Sequence, residues 1–312
     1  MGGVEKSVLA DKIAELKRNK RAIILAHYYT DGSVQAVADF VGDSLALSQK
    51  AATVDADIIL FAGVRFMAET AKVLSPDKKV LRPVVEAGCS LADSCDAAEL
   101  ARVKAENPDH LVVAYVNTSV EVKALTDICC TSSNALDIVK GLPADQKILF
   151  IPDRNLGGYI NKCTGREMKL WNGACLVHEE FSKESVVALK EAHPEAKVVV
   201  HPECRSEVVE LADYAGSTAG ILAYCGKSDA EEFIVATESG ILYEMEMSYP
   251  NKKFIPVPKS GCNEGCISCL DMKKVTLENI YETLLNESPE VVIEESVRAK
   301  AEGAIVRMLE AK

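Results

Sequence analysis

The amino-acid sequence predicts an α/β fold in which one unit with a parallel sheet occurs three times around a central active site. Short β-branched runs alternate with amphipathic stretches along the 312 residues, a pattern typical of layered α/β proteins with parallel sheets. In addition, three segments of 22 residues align without a gap, and they begin at His27, Tyr115 and His201. The alternation indicates the fold class, and the alignment indicates pseudo-threefold repetition of the unit.

Each unit is predicted to contain three main strands. The first strand runs into the aligned segment and reads RAIILAH, HLVVAYV or AKVVVHP, and the second strand reads IILFAG, KILFIP or FIVAT. A helix-like stretch and a third strand-like run, KKVLRPV, EMKLWN or KKFIPVP, follow in the same order. One cysteine comes after each third strand, so three cysteines stand in equivalent places: Cys89, Cys175 and Cys269.

The division of the chain into units follows from these elements. Residues 1–20 are amphipathic and are predicted to form a helix that packs on the body of the protein. The three units are predicted to cover residues 21–108, 109–194 and 195–312, and the last of them includes C-terminal helices. Because no long flexible linker separates the units, we expect them to be closely joined.

The composition favours a small-molecule ligand. The formal net charge is -12, from 35 Lys and Arg against 47 Asp and Glu, which argues against a nucleic acid or an anionic membrane surface as partner. No apolar run reaches the roughly 18 residues of a membrane span, and the first residues do not read as a signal peptide. We therefore expect a cytoplasmic protein.

Two further positions recur in the aligned segments. An aspartate stands twelve residues after each start, and a small hydroxyl stands seventeen residues after it. Parallel sheets place ligand-binding residues beyond the carboxyl ends of their strands, so three units around one axis would direct such residues to a common centre. Duplication that left only shared folding signals is the alternative, although hydrophobic strands alone would not require the hydroxyls. The residues are Asp39, Asp127 and Asp213, and Ser44, Ser132 and Thr218.

The cysteines indicate metal or redox chemistry, since eleven is an odd number and a chain of this length needs no disulfide framework. Three thiolates from separate units suit a 4Fe–4S cluster and would leave one iron open as a Lewis acid. Zinc is the alternative metal, with His178 as the nearest histidine to Cys175. Six other cysteines are expected to be buried apolar residues: Cys95, Cys129, Cys130, Cys163, Cys204 and Cys225.

Polar residues that follow the first strands are candidates for catalysis and substrate binding. A lone histidine at a strand end is more often structural, but matched positions in three units favour a shared site. The set offers acid–base groups, a carboxylate base and neutral donors for substrate carboxylates. The first members of the set are His27, Tyr115 and His201, and two residues further on stand Tyr29, Asn117 and Glu203.

Hydroxyl groups near predicted helix starts are candidates for holding an anion together with free backbone N–H groups. Helix capping is the alternative, and the two roles are compatible. Asp153, Arg154 and Glu238 follow second strands and are expected to be solvated loop charges without a catalytic role. No G-x-G-x-x-G or P-loop motif occurs, which weakens a nucleotide-binding interpretation. The hydroxyl candidates are Ser44, Ser132, Ser217 and Thr218.

Nine motifs resemble those of the quinolinate synthase family. AHYY, VGDS, YVNTS, CTSSNA, PDRNLG, NGACLVH, HPEC, GST and CLDMKKVTLEN occur in the order and at about the spacing of that family, over nearly the whole chain. The resemblance implies condensation of iminoaspartate with dihydroxyacetone phosphate to quinolinate in NAD biosynthesis. It also implies three-layer α/β/α units around a central site that holds a 4Fe–4S cluster.

The resemblance also implies roles for individual residues. Cluster ligation is implied for Cys89, Cys175 and Cys269, and a catalytic role for Tyr29. We expect Glu203 to be the general base, with Tyr29 and the histidines, His201 included, as proton carriers. The enzyme that oxidises L-aspartate is the expected source of iminoaspartate. Substrate contacts are implied for His27, Ser44, Tyr115, Asn117, Ser132, His201, Glu203 and Thr218.

An iron–sulfur module for electron transfer or redox sensing is the alternative function. Such a module is expected to have a fourth thiolate ligand and no polar cavity. Spectroscopic change at the cluster on substrate binding would separate it from the enzyme.

The stretch GCNEGCISC departs from the C-x-x-C-x-x-C of some relatives. Because each unit supplies one cysteine, we expect only Cys269 of the three to bind the cluster. Cys262 and Cys266 are surplus and are expected to be idle or to form a dithiol that tunes activity. A second departure is Leu176, which follows Cys175 where relatives often have proline.

Overall fold

The computed structural model describes residues 3–259 and 266–311. These residues form three four-stranded sheets, and every pairing within the sheets is parallel. Helices pack against both faces of each sheet. The structure thus confirms the predicted fold class of three α/β/α units with parallel sheets.

The strands follow the same scheme in each unit. In every sheet the order is second, first, third and fourth strand of that unit. The first sheet contains β1 (Ala22–His27), β2 (Phe40–Gly42), β3 (Ile58–Ala62) and β4 (Lys79–Leu81); the second contains β5 (His110–Tyr115), β6 (Ile128–Cys130), β7 (Lys147–Ile151) and β8 (Lys169–Leu170); the third contains β9 (Lys197–Val200), β10 (Tyr214–Ala215), β11 (Glu232–Ala236) and β12 (Lys253–Pro256).

Helices connect these strands, and further helical segments follow the last strand of each unit, β4, β8 or β12. Up to the second sheet they are α1 (Gly3–Asn19), α2 (Gly32–Gln35), α3 (Ser44–Thr53), α4 (Arg65–Leu74), α5 (Ser90–Asp93) and α6 (Ala97–Glu106). Next come α7 (Val120–Lys123), α8 (Ala135–Gly141), α9 (Arg154–Thr164), a 3₁₀ turn (His178–Glu180) and α10 (Lys183–Ala192). The remainder are α11 (Ser206–Val209), α12 (Thr218–Lys227), α13 (Ile241–Ser248), α14 (Leu270–Lys273), α15 (Leu277–Asn286) and α16 (Glu295–Glu310).

A short strand in each unit, β2, β6 or β10, was not among the predicted strands. Each follows the repeated aspartate and is only two or three residues long, which is too short to produce a recognisable alternation. The aspartate itself explains the pairing, because its side chain accepts a hydrogen bond from a backbone N–H of the first strand. All three bonds measure 2.8 Å, and they join Asp39 to Ile24, Asp127 to Val112 and Asp213 to Val198.

The helix that follows each cysteine-bearing loop covers the sheet of the next unit. Helix α6 shares a buried cluster with the second sheet, and α10 shares one with the third. Helix α15 shares a cluster with the first sheet, so the circle closes. Each shared cluster contains a buried residue from the helix and one from the sheet: Leu100 and Val112, Val186 and Val198, Ile280 and Ile24. Domain limits drawn along the sequence remain a prediction, because each of these helices covers a sheet other than that of its own unit.

The C-terminal helix α16 packs between the first two units, against α4, α7 and β6. Its buried residues, among them Ile305 and Met308, join the largest apolar cluster among the described residues. Helix α1 packs on α15 at the opposite face of the first sheet. Among the described residues, no helix combines the length and the hydropathy that a membrane span requires.

Candidate active site

A cavity of about 290 Å³ lies where the carboxyl ends of the three first strands meet. Parallel sheets direct the loops after their strands to one edge, and the threefold arrangement brings three such edges together. Nearly all of the residues predicted to form the site line this cavity. They are His27, Tyr29, Ser44, Cys89, Tyr115, Asn117, Ser132, Cys175, His201, Glu203, Thr218 and Cys269.

Ser217 is the predicted substrate-binding residue that does not line the cavity. It is buried, and its hydroxyl caps α12 by accepting a hydrogen bond from the Gly220 N–H at 3.0 Å. Helix capping therefore accounts for Ser217, while the neighbouring Thr218 faces the cavity.

The three cysteines come from three loops that precede short helical segments. Cys89 and Cys269 stand directly before α5 and α14, and Cys175 stands three residues before the 3₁₀ turn. None of the three is in a disulfide. Burial raises the pKa of Cys89 to about 12 and raises the pKa of Cys175 and Cys269 above its ordinary value, whereas backbone N–H groups at the helix starts act in the opposite direction. The thiols are therefore neutral without a metal, and metal binding would release protons.

His27 and His201 are held in the same way in the first and third units. The N–H of Tyr29 donates to His27 Nδ1 at 3.2 Å, and the N–H of Glu203 donates to His201 Nδ1 at 3.3 Å. This acceptor role assigns the proton of each ring to Nε2. His201 Nε2 lies 3.2 Å from the Ser132 hydroxyl. Burial lowers the pKa of both rings to about 3, although the Glu203 carboxylate acts in the opposite direction, so both are neutral at neutral pH.

Glu203 lies at the centre of the polar network and is almost fully buried. Its Oε2 is 2.8 Å from His178 Nδ1 and 3.5 Å from His201 Nδ1. Burial by itself would raise the pKa of Glu203, but His178 and His201, with a hydrogen bond from Tyr115, lower it well below the ordinary value. Glu203 is therefore ionised at neutral pH, as a general base must be, and a ligand that separates it from His178 would strengthen it as a base.

Two buried acceptor atoms in the cavity wall have no partner. Glu203 Oε1 and Asn117 Oδ1 make no hydrogen bond within the described residues. Buried polar atoms are nearly always paired in native proteins, so unpaired atoms at a cavity indicate a ligand that supplies donors.

Tyr29 crosses from the first unit into the third. Its hydroxyl lies 2.8 Å from the Thr218 hydroxyl and 2.9 Å from the Thr237 hydroxyl. Burial, together with the Glu203 carboxylate, raises the pKa of Tyr29 well above its ordinary value, so the phenol is neutral. His178 Nε2 lies 3.1 Å from the same Thr237 hydroxyl. A chain of hydrogen bonds therefore connects Tyr29 to Glu203 through Thr237 and His178.

The sequence indicates His178 only as an alternative ligand for zinc. Its Nδ1 is 3.3 Å from Cys175 Sγ, and donor atoms of Cys175, His178 and Glu203 lie within 4.8 Å of one another. Both ring nitrogens, however, already have protein partners, Glu203 and Thr237. The geometry thus gives His178 an orienting position beside the thiol.

Two residues expected to be solvated loop charges are buried instead. Asp153 and Glu238 have no exposed surface, so that prediction is wrong for both. Asp153 caps α9 through the Leu156 N–H at 2.8 Å, and Glu238 lines the cavity. Their positions after β7 and β11, at the carboxyl edge of a parallel sheet, are the signal that could have identified them. Arg154 is half-exposed and pairs with Glu179 at 3.0 Å, as a loop charge does.

Of the six cysteines expected to be buried, five are buried. Cys163 is exposed at the end of α9, so its expected burial is wrong. Cys266 is also exposed, and Cys262 lies outside the described residues. Burial is confirmed for Cys95, Cys129, Cys130, Cys204 and Cys225.

No lysine or arginine is among the described residues that line the cavity. Donors for an anion come instead from hydroxyls at helix starts, since Ser44 opens α3 and Thr218 opens α12. The free N–H groups of a helix start favour negative charge at the same place. An acidic protein thus has local donors for an anionic ligand.

A central cavity that combines three unbonded thiols with buried acid–base groups defines an enzyme active site on a threefold α/β scaffold. Comparison with known proteins agrees with this class. The family model of the quinolinate synthetase A protein matches residues 11–310, and the chain belongs to that family.

Relatives of known name cover nearly the whole chain. The quinolinate synthase of Microcystis aeruginosa is 54% identical over 298 residues, which cover 96% of this chain and 93% of the relative. The quinolinate synthase of Synechocystis sp. is 52% identical over 301 residues, with 96% and 94% covered. That of Nostoc sp. is 52% identical over 309 residues, with 99% and 95% covered. These matches confirm the resemblance found in the motifs.

Proposed function

We propose that this protein condenses iminoaspartate with dihydroxyacetone phosphate to quinolinate, releasing phosphate and water, as a transferase of de novo NAD biosynthesis in the cytoplasm. Family membership and the names of the relatives support the activity. The main structural support for the activity is that unbonded thiols from three units share a cavity with the unpaired acceptor atoms of Asn117 and Glu203.

The donor set fits a 4Fe–4S cluster held by Cys89, Cys175 and Cys269. All three are free sulfur donors, and no fourth cysteine is found among the described cavity-lining residues. When bound, the cluster would offer one iron without a protein ligand as a Lewis acid toward a substrate hydroxyl. This arrangement argues against an electron-transfer module, which would be expected to use a fourth thiolate.

The rest of the cavity suits the two substrates. The imine N–H of iminoaspartate and the hydroxyl of dihydroxyacetone phosphate are donors that Asn117 Oδ1 and Glu203 Oε1 lack. The hydroxyls of Ser44 and Thr218, at two helix starts, would receive the phosphate or carboxylate groups. His27 and Tyr115 complete the wall with neutral donors.

Proton transfer is assigned to groups that already share hydrogen bonds. Glu203 is the proposed general base, and the neutral Tyr29 phenol is the proposed donor on the facing wall. His201, between Glu203 and Ser132, would take the proton from Glu203 at its Nδ1 as it gives the proton on its Nε2 to a substrate atom. Thr237 and His178 connect the base to the phenol, so a proton taken by one group can be returned through the other.

Zinc remains the second candidate metal because Cys175, His178 and Glu203 lie together. A zinc site there would use one thiol and leave Cys89 and Cys269 free, whereas a 4Fe–4S cluster would use all three. The enzyme that oxidises L-aspartate is the proposed supplier of iminoaspartate.

Anaerobic reconstitution with iron and sulfide, followed by an assay for quinolinate, tests the proposed function. We expect about four irons per chain and quinolinate only when both substrates are present. Cys269→Ser should abolish iron binding and the charge-transfer absorption. The double variant Cys262→Ser with Cys266→Ser is the matched control and should keep both. Reconstituted protein with full iron content that forms no quinolinate would overturn the activity, and retention of iron by Cys269→Ser would overturn the ligand assignment.

A further inference from the structure

Three segments from two units meet around Cys269 at the wall of the cavity. One follows β11 and contains Glu238, and one follows β1 and contains Tyr29. The third is the short helix α14, which follows Cys269 and ends at Lys273. Glu238 and Lys273 have no role in the proposed reaction, yet Glu238 has no exposed surface. A buried carboxylate of this kind requires partners, and its partners show what it does.

Glu238 holds the backbone at the proposed third ligand. Its Oε1 accepts a hydrogen bond from the Cys269 N–H at 3.0 Å, and its Oε2 accepts one from the Gly240 N–H at 2.6 Å. Both carboxylate oxygens are therefore used on backbone N–H groups. Because the bond to Cys269 is at the residue that carries the thiol, Glu238 fixes the point from which the cysteine side chain projects.

Lys273 extends this contact to the first unit. Its ammonium lies 3.3 Å from Glu238 Oε1 and donates to the Tyr29 carbonyl oxygen at 2.8 Å. Asp31, on the same loop as Tyr29, is 3.5 Å away. One ammonium group thus joins the carboxylate that holds Cys269 to the backbone of the tyrosine whose hydroxyl faces the cavity.

The loop after β11 and the loop after β1 also approach each other more closely than a side chain at residue 240 would allow. A Cβ on Gly240 would lie 2.7 Å from the Tyr28 carbonyl oxygen and 2.7 Å from Tyr29 Cα. The Gln35 side chain fastens the same approach, since its amide donates to the carbonyl oxygens of Tyr28 and Gly240 at 2.9 and 3.0 Å. Glycine at 240 is therefore a packing requirement of this contact.

Helix α14 makes a further contact with the loop that carries Cys89. Asp271 Oδ1 accepts a hydrogen bond from the Gly88 N–H at 3.3 Å, and Lys274 donates to the Glu86 carbonyl oxygen at 3.3 Å. The segment after Cys269 is thus connected to the residue before Cys89 as well as to Tyr29.

We propose that Glu238 and Lys273 are positioning residues that fix the backbone of Cys269 and of Tyr29 relative to each other. The pair joins the third unit to the first, so that the third thiol and the phenol face the cavity together. The inference rests on the proposed function only in taking Cys269 as a ligand, since the contacts themselves exist without a cluster.

Hydrogen exchange in the cluster-free, reduced protein tests the positioning directly. Lys273→Met keeps the length of the side chain and removes its charge, and Glu238→Gln keeps the shape of the carboxylate. We expect the Cys269 amide to exchange about tenfold faster in either variant, because its bond to a charged acceptor is weakened. The matched control is Lys253→Met, which breaks an exposed ion pair to Glu232 of 3.1 Å in the same unit and should leave exchange at Cys269 unchanged.

A second measurement follows iron in the reconstituted protein. Release of iron to a chelator should be about tenfold faster in Lys273→Met than in the wild type or in Lys253→Met, since a displaced ligand holds metal less well. The double variant of Glu238→Gln with Lys273→Met should match the single variants instead of adding their effects, because the two residues act as one unit.

The outcomes are distinguishable. Unchanged exchange at Cys269 in both single variants overturns the positioning role, whatever the activity. If Glu238→Gln fails to fold, Lys273→Met decides, because its side chain is partly exposed and its loss leaves no large cavity. Iron retained by Cys269→Ser with faster exchange in Lys273→Met would overturn the proposed ligand while supporting the contact.

Discussion

Two regions of the repeated unit differ in how far the three copies have diverged. At the aspartate that follows the first strand, all three units make the same bond with the same atoms at 2.8 Å. At the cavity wall the units place different side chains at matched positions: His27 and Tyr29, Tyr115 and Asn117, His201 and Glu203. All three units thus keep the hydrogen bond that supports strand pairing in each sheet. The residues around the cavity, in contrast, differ between the units, and this difference allows them separate roles.

The positions two residues after β3, β7 and β11 show the same contrast. The third unit has Glu238 there, the second has Asp153, and the first has the apolar Val64. Glu238 holds the Cys269 backbone, whereas Asp153 caps a helix. Equivalent positions in the fold thus carry a residue that holds the Cys269 backbone in one unit and a helix cap in another.

The largest effect is expected at the cavity wall. Glu203→Gln keeps the size of the side chain and removes the proposed base, so turnover should fall by roughly 10²–10⁴, the range for lost acid–base catalysis, with iron content unchanged. Steady-state formation of quinolinate measures this. The control is Glu207→Gln, an exposed neighbour whose loss should leave turnover unaltered. Near-normal activity in Glu203→Gln would remove Glu203 from the reaction.

A smaller effect is expected at Thr237, which lies behind the wall. Thr237→Val removes the hydroxyl that bonds both Tyr29 and His178, so kcat should fall by about tenfold while KM changes little. Thr237→Ser restores the hydroxyl and should recover most of the rate. Equal rates for the Val and Ser variants would show that packing, not the hydrogen bonds, is what Thr237 contributes.

The repeated aspartates should affect stability and not catalysis. Asp39→Ala, Asp127→Ala and Asp213→Ala each remove one bond from a backbone N–H to a charged acceptor, which costs about 1–2 kcal/mol of unfolding free energy for a partly exposed group. Urea unfolding of the cluster-free protein measures the cost. Turnover per iron-loaded chain should stay within about twofold of the wild type. Widely different costs at the three positions would contradict the structural equivalence of the units.

The smallest effect is expected where the circle of units closes. Glu287, at the end of α15, lies 2.7 Å from Lys20 and 2.6 Å from Lys79, and hydrogen bonds from these lysines lower its pKa from 4.5 to about 2. Because the pKa is lowered on folding, the contribution is complete above pH 4.5 and is lost as the pH falls toward 2. Glu287→Gln should therefore lower the stability at pH 7 by less than about 1 kcal/mol, since the group is near the surface.

Unfolding curves at several pH values test the sign. The difference in unfolding free energy between the wild type and Glu287→Gln should narrow steadily below pH 4.5 and vanish near pH 2. A difference that grows as the pH falls would show that the ion pairs with Lys20 and Lys79 do not form in solution.

Much of the site could be predicted because its signals are local and repeated. His27, Tyr115 and His201 stand directly at strand ends, and the strands are long enough to be recognised from their apolar runs. The three cysteines follow β4, β8 and β12 and lie 62, 60 and 68 residues after the starts of the aligned segments, so the repeat located all of them. The predicted solvation of Glu238 and Asp153 is wrong, because a charge in a loop is usually solvated and only the packing of neighbouring loops buries these two.

The sequence by itself determined the threefold unit, the order of its main strands and the residues that face a common centre, because hydrophobic periodicity and repeated spacing are properties of the chain. Only the tertiary structure decided which unit each helix covers, and that Thr237, His178, Glu238 and Lys273 link the three units. These contacts join residues far apart in the chain, such as Lys273 and Tyr29. Their partners are selected by burial and distance in the folded protein, and neither quantity has a local signal in the sequence.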